Sequence, residues 1–161
     1  MIMALHFRGN LRFLKDPKDV SISLEDVFRV GQGLGTDVKA SWLAMSSEAG
    51  QNPMSMLEVS ANLKNGLAGA VWFAGWEEGV RFKKHPADNL VDHPWISDSG
   101  NPPNFDPEVL SDAHCPSYFD PRGVLPVAKI CEVIEEYCES LGDRPRGINW
   151  VPGELNGSRP S

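Results

Sequence analysis

The chain has 161 residues, of which 41% are hydrophobic and 23% charged, and its 22 acids and 15 bases give a formal net charge of −7. This composition is typical of a globular protein, and no stretch approaches the roughly 20 apolar residues of a membrane span. The acidic balance argues against direct binding of nucleic acid or an anionic membrane, since both require clustered basic side chains. Three cysteines, an odd and sparse set, predict a reducing, cytoplasmic environment.

The first half of the chain predicts an antiparallel sheet. Gly9-Asn10 predicts a hairpin or a bend, and Asn65-Gly66 supplies the turn chemistry of a tight hairpin. Ser23 is predicted to cap a short helix that ends in the glycines of 31–35. The predicted strands cover residues 3–8, 11–14, 41–46, 56–63, 69–76 and 80–84.

The net charge of the chain is confined to residues 88–120, called here the acidic segment. It holds seven carboxylates, five prolines and no Lys or Arg, so the acids and bases outside it balance at 15 each. The prolines predict a broken loop. Such a loop is either a solvated surface or a negative face that steers a basic partner. The carboxylates are Asp88, Asp92, Asp98, Asp106, Glu108, Asp112 and Asp120.

Bulky aromatic side chains are interleaved with these acids. Phe105 and Tyr118 are candidate anchors for a partner. Trp95 is either a third anchor or a plug that pins the loop to the body of the protein. The plug is favoured because Pro94 and Ile96 would bury beside it.

The C-terminal part predicts the clearest helix, over Pro126–Leu141, with apolar residues at three- and four-residue spacing. A strand over 147–151 follows. We therefore expect an α+β fold: one domain over 1–151, with an antiparallel sheet of at least four strands and the long C-terminal helix packed on one face. The Gly-, Ser- and Pro-rich residues 152–161 predict a flexible tail.

Catalytic and ligand-binding patterns are weak. The glycines of 31–35 follow a helix rather than a strand, which argues against a phosphate loop. The histidines and cysteines lack the spacing of a metal site, so no metal and no cofactor are expected. The enzyme alternative is a small hydrolase or transferase that uses His114 or Cys115 with a carboxylate of the acidic segment.

Several short motifs resemble the first-numbered family of immunity proteins of bacterial polymorphic toxin systems. They are Met56-Leu57-Glu58-Val59-Ser60, Val71-Trp72-Phe73, Tyr118-Phe119, Val124-Leu125-Pro126-Val127, Gly142-Asp143-Arg144-Pro145 and Ile148-Asn149-Trp150. The resemblance implies a protein of interbacterial competition that inhibits by binding a toxin encoded beside it. Many such toxins are nucleic-acid deaminases. It implies no catalytic residues.

Resemblance and charge lead to one hypothesis. The chain is expected to be a cytoplasmic immunity protein, not an enzyme, that blocks a basic, nucleic-acid-modifying toxin such as a deaminase or nuclease. It would not contact nucleic acid or membrane directly. The candidate toxin-binding residues are Asp88, Asp92, Trp95, Asp98, Phe105, Asp106, Glu108, Asp112, Tyr118 and Asp120.

Overall fold

The computed structural model describes residues 1–29, 36–47, 52–74 and 93–159, and every structural statement below concerns these residues. Two α-helices occur in this part, α1 (Pro17–Phe28) and α2 (Val127–Glu139). The strands are β1 (Ile2–Phe7), β2 (Asn10–Leu14), β3 (Asp37–Met45), β4 (Ser55–Asn62), β5 (Leu67–Ala74), β6 (Trp95–Asp98), β7 (Leu110–Asp112), β8 (Ser117–Tyr118), β9 (Leu125–Pro126) and β10 (Asn149–Pro152).

One eight-stranded sheet organises the chain, in the order β10-β6-β5-β4-β3-β1-β2, with β9 also paired to β5 and with every pairing antiparallel. Strands β7 and β8 form a separate ribbon. The predicted α+β class and the antiparallel sheet are confirmed. Helix α2 has 13 residues and is shorter than predicted, because Pro126 lies in β9 and the helix ends at Glu139.

Both predicted hairpin turns occur. Arg8 and Gly9 adopt left-handed conformations, with φ of 53° and 76°, and join β1 to β2. Gly66 also has a positive φ of 72°, and its N–H donates to the Asn62 carbonyl over 2.9 Å. Glycine suits positions 9 and 66 because it has no Cβ to clash in the left-handed region.

Helix α1 begins earlier than predicted, so the assignment of Ser23 as its cap is wrong. The carboxylate of Asp16 caps the helix by accepting the Asp19 N–H over 2.9 Å, and Pro17 occupies the first turn, where its missing N–H costs nothing. Ser23 is instead buried inside the helix. Its hydroxyl donates to the Val20 carbonyl and accepts the indole N–H of Trp42.

The main core lies on the face of the sheet that carries both helices. Alternate residues of the central strands, such as Trp42, Leu57 and Trp72, are fully buried there with Ile134 and Tyr137 of α2. The burial of whole aromatic and aliphatic side chains is the main stabilising contribution in a domain of this size. The sheet is thus anchored on this face and presents its other face to the acidic segment.

A second core holds the acidic segment against that other face. Its buried residues are Val71, Ile96, Val109, Phe119 and Val124. The ring of Phe119 lies directly over Gly69: a Cβ built on this glycine would fall 2.4 Å from a ring carbon. No larger residue fits there with the ring in place, so the absence of a side chain in β5 makes room for the segment.

The acidic segment is more regular than the predicted loop, because β6 inserts between β5 and β10 in the main sheet. The sequence predicts flexibility from Pro152, yet residues 153–159 contact the body of the protein. Gly157 accepts a hydrogen bond from the Asp120 N–H, and Gly153 N–H donates to the Pro94 carbonyl. The predicted strand at 80–84, the glycines of 31–35 and Trp76 lie outside the described residues.

Candidate functional site

Two of the predicted acids form ion pairs with arginines of the same chain. The guanidinium of Arg159 forms a 2.8 Å salt bridge with Asp98, and both side chains are largely shielded from water. Arg122 grips Asp120 with two hydrogen bonds, of 2.9 Å from Nε and 2.6 Å from Nη2. These hydrogen bonds are the largest cause that lowers the pKa of Asp120.

Three other acids of the segment lie at least partly exposed in the described residues. Within the described residues, no salt bridge involves Asp106, Glu108 or Asp112. Hydrogen bonds from the backbone N–H groups of His114 and Cys115 lower the pKa of Asp112, so this carboxylate is ionised at neutral pH. We call Asp106, Glu108 and Asp112 the acidic triad. Asp88 and Asp92 lie outside the described residues.

The triad is carried by backbone that the sheet holds in place. At the end of β4, the side-chain amide of Asn62 donates to the carbonyl of Glu108 over 3.1 Å. The amide of Asn65 donates to the Pro107 carbonyl over 2.8 Å. Farther along, the ammonium of Lys39 donates to the Ser111 carbonyl over 2.8 Å. Three hydrogen bonds from the sheet and its hairpin turn therefore hold the backbone of the acidic segment between residues 107 and 111.

Two candidate anchors meet in space. Phe105 and Tyr118 are 54% and 53% exposed, and they line one shallow depression together with Asp106 and Asp120. We call this concavity the aromatic depression. Its remaining lining residues are Pro103, Asn104, Phe119 and Pro121. Residues 13 positions apart in sequence thus form one surface that is both aromatic and acidic.

Trp95 has a different position. It lies in β6, partly buried against the main core, with the His93 ring 4.5 Å away and the Arg144 guanidinium 4.3 Å above its own ring. This is the arrangement expected of a plug that fixes the segment to the sheet. Trp95 presents less free aromatic surface to a partner than Phe105 or Tyr118.

The enzyme alternative finds no geometric support. His114 and Cys115 are exposed in a turn, and the 2.9 Å and 3.4 Å hydrogen bonds that link them to Asp112 come from their backbone N–H groups. In the part of the chain described, neither side chain has a partner within hydrogen-bond reach. Nucleophilic catalysis needs a base beside the nucleophile and a group that orients the base, and the described residues supply neither to His114 or Cys115.

The other cysteines are poor nucleophiles. Burial raises the pKa of Cys131 to about 11 and that of Cys138 to about 12. Among the described residues, no group of three or more His, Cys, Asp or Glu side chains is arranged to hold a metal ion. No helix in the described ranges is long and apolar enough to cross a membrane.

The residues that shape this surface were not all visible in the sequence. Arg122 stands two positions after Asp120, a spacing that allows a local ion pair, but Arg159 reaches Asp98 from the far end of the chain. Asn62 and Asn65 were interpreted only as strand and turn residues. Their positions at the end of β4 and just before a hairpin glycine give no sign that they bind a segment more than 40 residues away.

Comparison with known proteins identifies a family. A family model described as Immunity protein Imm1 matches residues 8–152. The matched range includes both helices and all the residues of the acidic triad and the aromatic depression. No curated protein and no solved structure matches the chain.

Proposed function

This chain belongs to the Imm1 family of immunity proteins, and from that premise we propose that it binds and inhibits a basic toxin that acts on nucleic acid, a deaminase or a nuclease. The toxin is held by the acidic triad and the aromatic depression. Inhibition occurs in the cytoplasm by occlusion of the toxin's active site, without turnover. The observation that carries the proposal is the acidic triad, braced by the sheet and free of salt bridges within the described residues.

Charge complementarity supports this choice of partner. An enzyme that acts on nucleic acid presents basic groups to the phosphate backbone. Carboxylates that form no salt bridge with the protein's own cations attract such a surface and raise the association rate by roughly 10- to 1,000-fold at low salt. Asp98 and Asp120 contribute less to this field because their own arginines neutralise them.

Rigidity supports it as well. Binding costs free energy for every loop that must be ordered at the interface. The hydrogen bonds from Asn62, Asn65 and Lys39 order the backbone of the triad before any partner arrives. Exposed aromatic side chains beside a fixed charged surface are typical of the residues that dominate binding energy.

The proposal is tested by reversing the triad. The Asp106→Lys, Glu108→Lys and Asp112→Lys variant is mixed with the toxin encoded beside this protein, and association is followed by stopped flow across a range of salt concentrations. We expect the association rate at low salt to fall by roughly one to three orders of magnitude and its salt dependence to flatten. Protection of cells that express the toxin should weaken in parallel.

A matched control reverses three exposed glutamates on the helices, Glu25, Glu135 and Glu139, which lie on the opposite face of the sheet. The change in net charge is the same, so the two variants separate a local docking surface from overall charge. Equal slowing by both variants, or none by the triad variant, would exclude the triad from the interface.

A further inference from the structure

The aromatic depression combines two exposed aromatic rings with a carboxylate that has no cationic partner among the described residues. Phe105 and Tyr118 each expose more than half of their surface, although burying a large ring is strongly favourable. Between 105 and 118 in the chain lies the carboxylate of Asp106. One of its oxygens accepts the Glu108 N–H over 3.0 Å, and the carboxylate has no cationic partner among the described residues.

Asp120, the other carboxylate that lines the depression, has an arginine partner of the kind that Asp106 lacks among the described residues. Both oxygens of Asp120 are occupied by the guanidinium group of Arg122. Asp106 has the same chemistry and lines the same concavity, but no arginine of the described chain reaches it. The depression thus has one carboxylate that is already matched and one that is open.

We infer that the aromatic depression is a receptor for one arginine side chain of the toxin; this inference rests on the proposed function. A guanidinium is planar, so it stacks on the ring of Phe105 or Tyr118 while its N–H groups fork onto Asp106. A lysine ammonium supplies only a point charge and is more strongly hydrated. An apolar side chain would bury the Asp106 charge without a partner, which is costly.

The surroundings hold the receptor in shape. Phe119, next to Tyr118, is 3% exposed and wedged over Gly69, which fixes one wall. On the other side, the Pro107 carbonyl, one residue after Asp106, accepts the Asn65 amide. A receptor that is rigid before binding loses little conformational entropy when the arginine enters.

The first test uses the complex with the toxin. Phe105→Ala and Asp106→Asn should each raise the dissociation constant by about tenfold or more, as expected for the central contacts of an interface. Leu11→Ala removes an equally exposed side chain, 50% exposed on β2, and should leave the dissociation constant unchanged. Each arginine of the toxin is then replaced by lysine in turn. One of these replacements should raise the dissociation constant for the unaltered protein but not for the Asp106→Asn variant.

The outcomes separate this inference from the proposed function. If the toxin binds and the triad reversal slows it, while Phe105→Ala and Asp106→Asn bind normally, inhibition of a basic toxin through the triad stands and the arginine receptor is refuted. If the toxin does not bind at all, both fail. Circular dichroism and thermal unfolding establish that each variant is folded.

A second test needs no toxin. The ¹⁵N-labelled protein is titrated with N-acetyl-arginine amide and, separately, with N-acetyl-lysine amide, and NMR shifts are recorded. The arginine compound should move resonances of residues 103–106 and 118–121 in a saturable way, and Asp106→Asn should abolish this response. Equal responses to both compounds, or shifts spread over the whole surface, would overturn the inference.

Discussion

Replacing Gly69 by alanine should destabilise the protein through a collision with one ring. Gly69 lies in the interior of β5, and an added Cβ would fall 2.4, 2.6 and 2.8 Å from three ring carbons of Phe119. Carbon atoms pack at about 3.5–4.0 Å, so the ring would have to retreat by about 1 Å. Retreat is blocked because the ring also closes on Gly157, where an added Cβ would lie 2.7 Å from it.

The magnitude follows from the costs of overpacking and of cavities. Gly69→Ala should lower the free energy of unfolding by about 1–3 kcal/mol. Phe119→Ala should lower it by about 3–5 kcal/mol, since a nearly fully buried ring is removed. The variant that carries both substitutions has no collision, so the two losses of stability should not add. The double-mutant cycle should therefore show a coupling energy of about 1–3 kcal/mol.

Urea unfolding of the four proteins measures this coupling. Gly100→Ala is the control: its added Cβ meets nothing within 4 Å, so its effect should stay within about 0.5 kcal/mol. The reasoning is refuted if Gly69→Ala costs the same with and without the Phe119 ring. Tyr118 and Asp120, the neighbours of Phe119, line the aromatic depression, so a displaced Phe119 ring should shift them as well. Gly69→Ala should therefore also weaken toxin binding, although Gly69 does not line the depression.

Two further outcomes follow from buried or bridged polar groups. Arg122 lowers the pKa of Asp120 in the folded protein, so the stabilisation by this carboxylate is complete above its ordinary pKa and is lost as pH falls through the folded value. Asp120→Asn should therefore lose less thermal stability than the parent between about pH 5 and pH 2. Parallel plots of melting temperature against pH for the two proteins would contradict this. Ser23→Ala removes the acceptor of the buried Trp42 indole N–H and should cost about 1–3 kcal/mol in urea unfolding, whereas exposed Ser21→Ala should cost less than about 0.5 kcal/mol.

The central part of the fold was predictable because its signals are local. The alternation of Leu57, Val59 and Ala61 with more polar residues predicted a strand with one apolar face, and all three are in the main core. The spacing of Ile130, Ile134 and Tyr137 predicted the buried side of α2 in the same way. Periodicity works here because each element buries one face against a single core.

Other features were not predictable because they depend on distant partners. Strand β6 has only four residues, and it is ordered by pairing with β5 on one side and β10 on the other. Nothing in four residues specifies two neighbours, one well before and one well after them in the sequence. The cap of α1 was misplaced for a different reason: both Asp16 and Ser23 are good capping residues, and the steric preference of Pro17 for the first turn decides between them.

The candidate site shows the limit of counting charges. Seven acids in one segment predict a uniformly negative loop, but the field at a surface depends on which carboxylates have a cation within reach. Arg159 and Arg122 neutralise Asp98 and Asp120, and the Arg159 pair also ties the segment to the C-terminal residues. Among the described acids of the segment, the charge available to a partner is therefore concentrated at residues 106–112, beside the exposed Phe105 ring.

Charge concentrated at residues 106–112 favours one orientation of an approaching basic partner, which an evenly charged loop would not do. A diffuse negative charge accelerates encounter with any cationic protein, but it does not select an orientation. Three carboxylates on braced backbone, next to a depression with two exposed rings, favour one approach of a basic partner over the others. Long-range attraction by the triad and short-range recognition in the depression are then separable. We expect the triad to govern mainly the rate at which a complex forms, and Phe105 with Asp106 to govern how long it lasts.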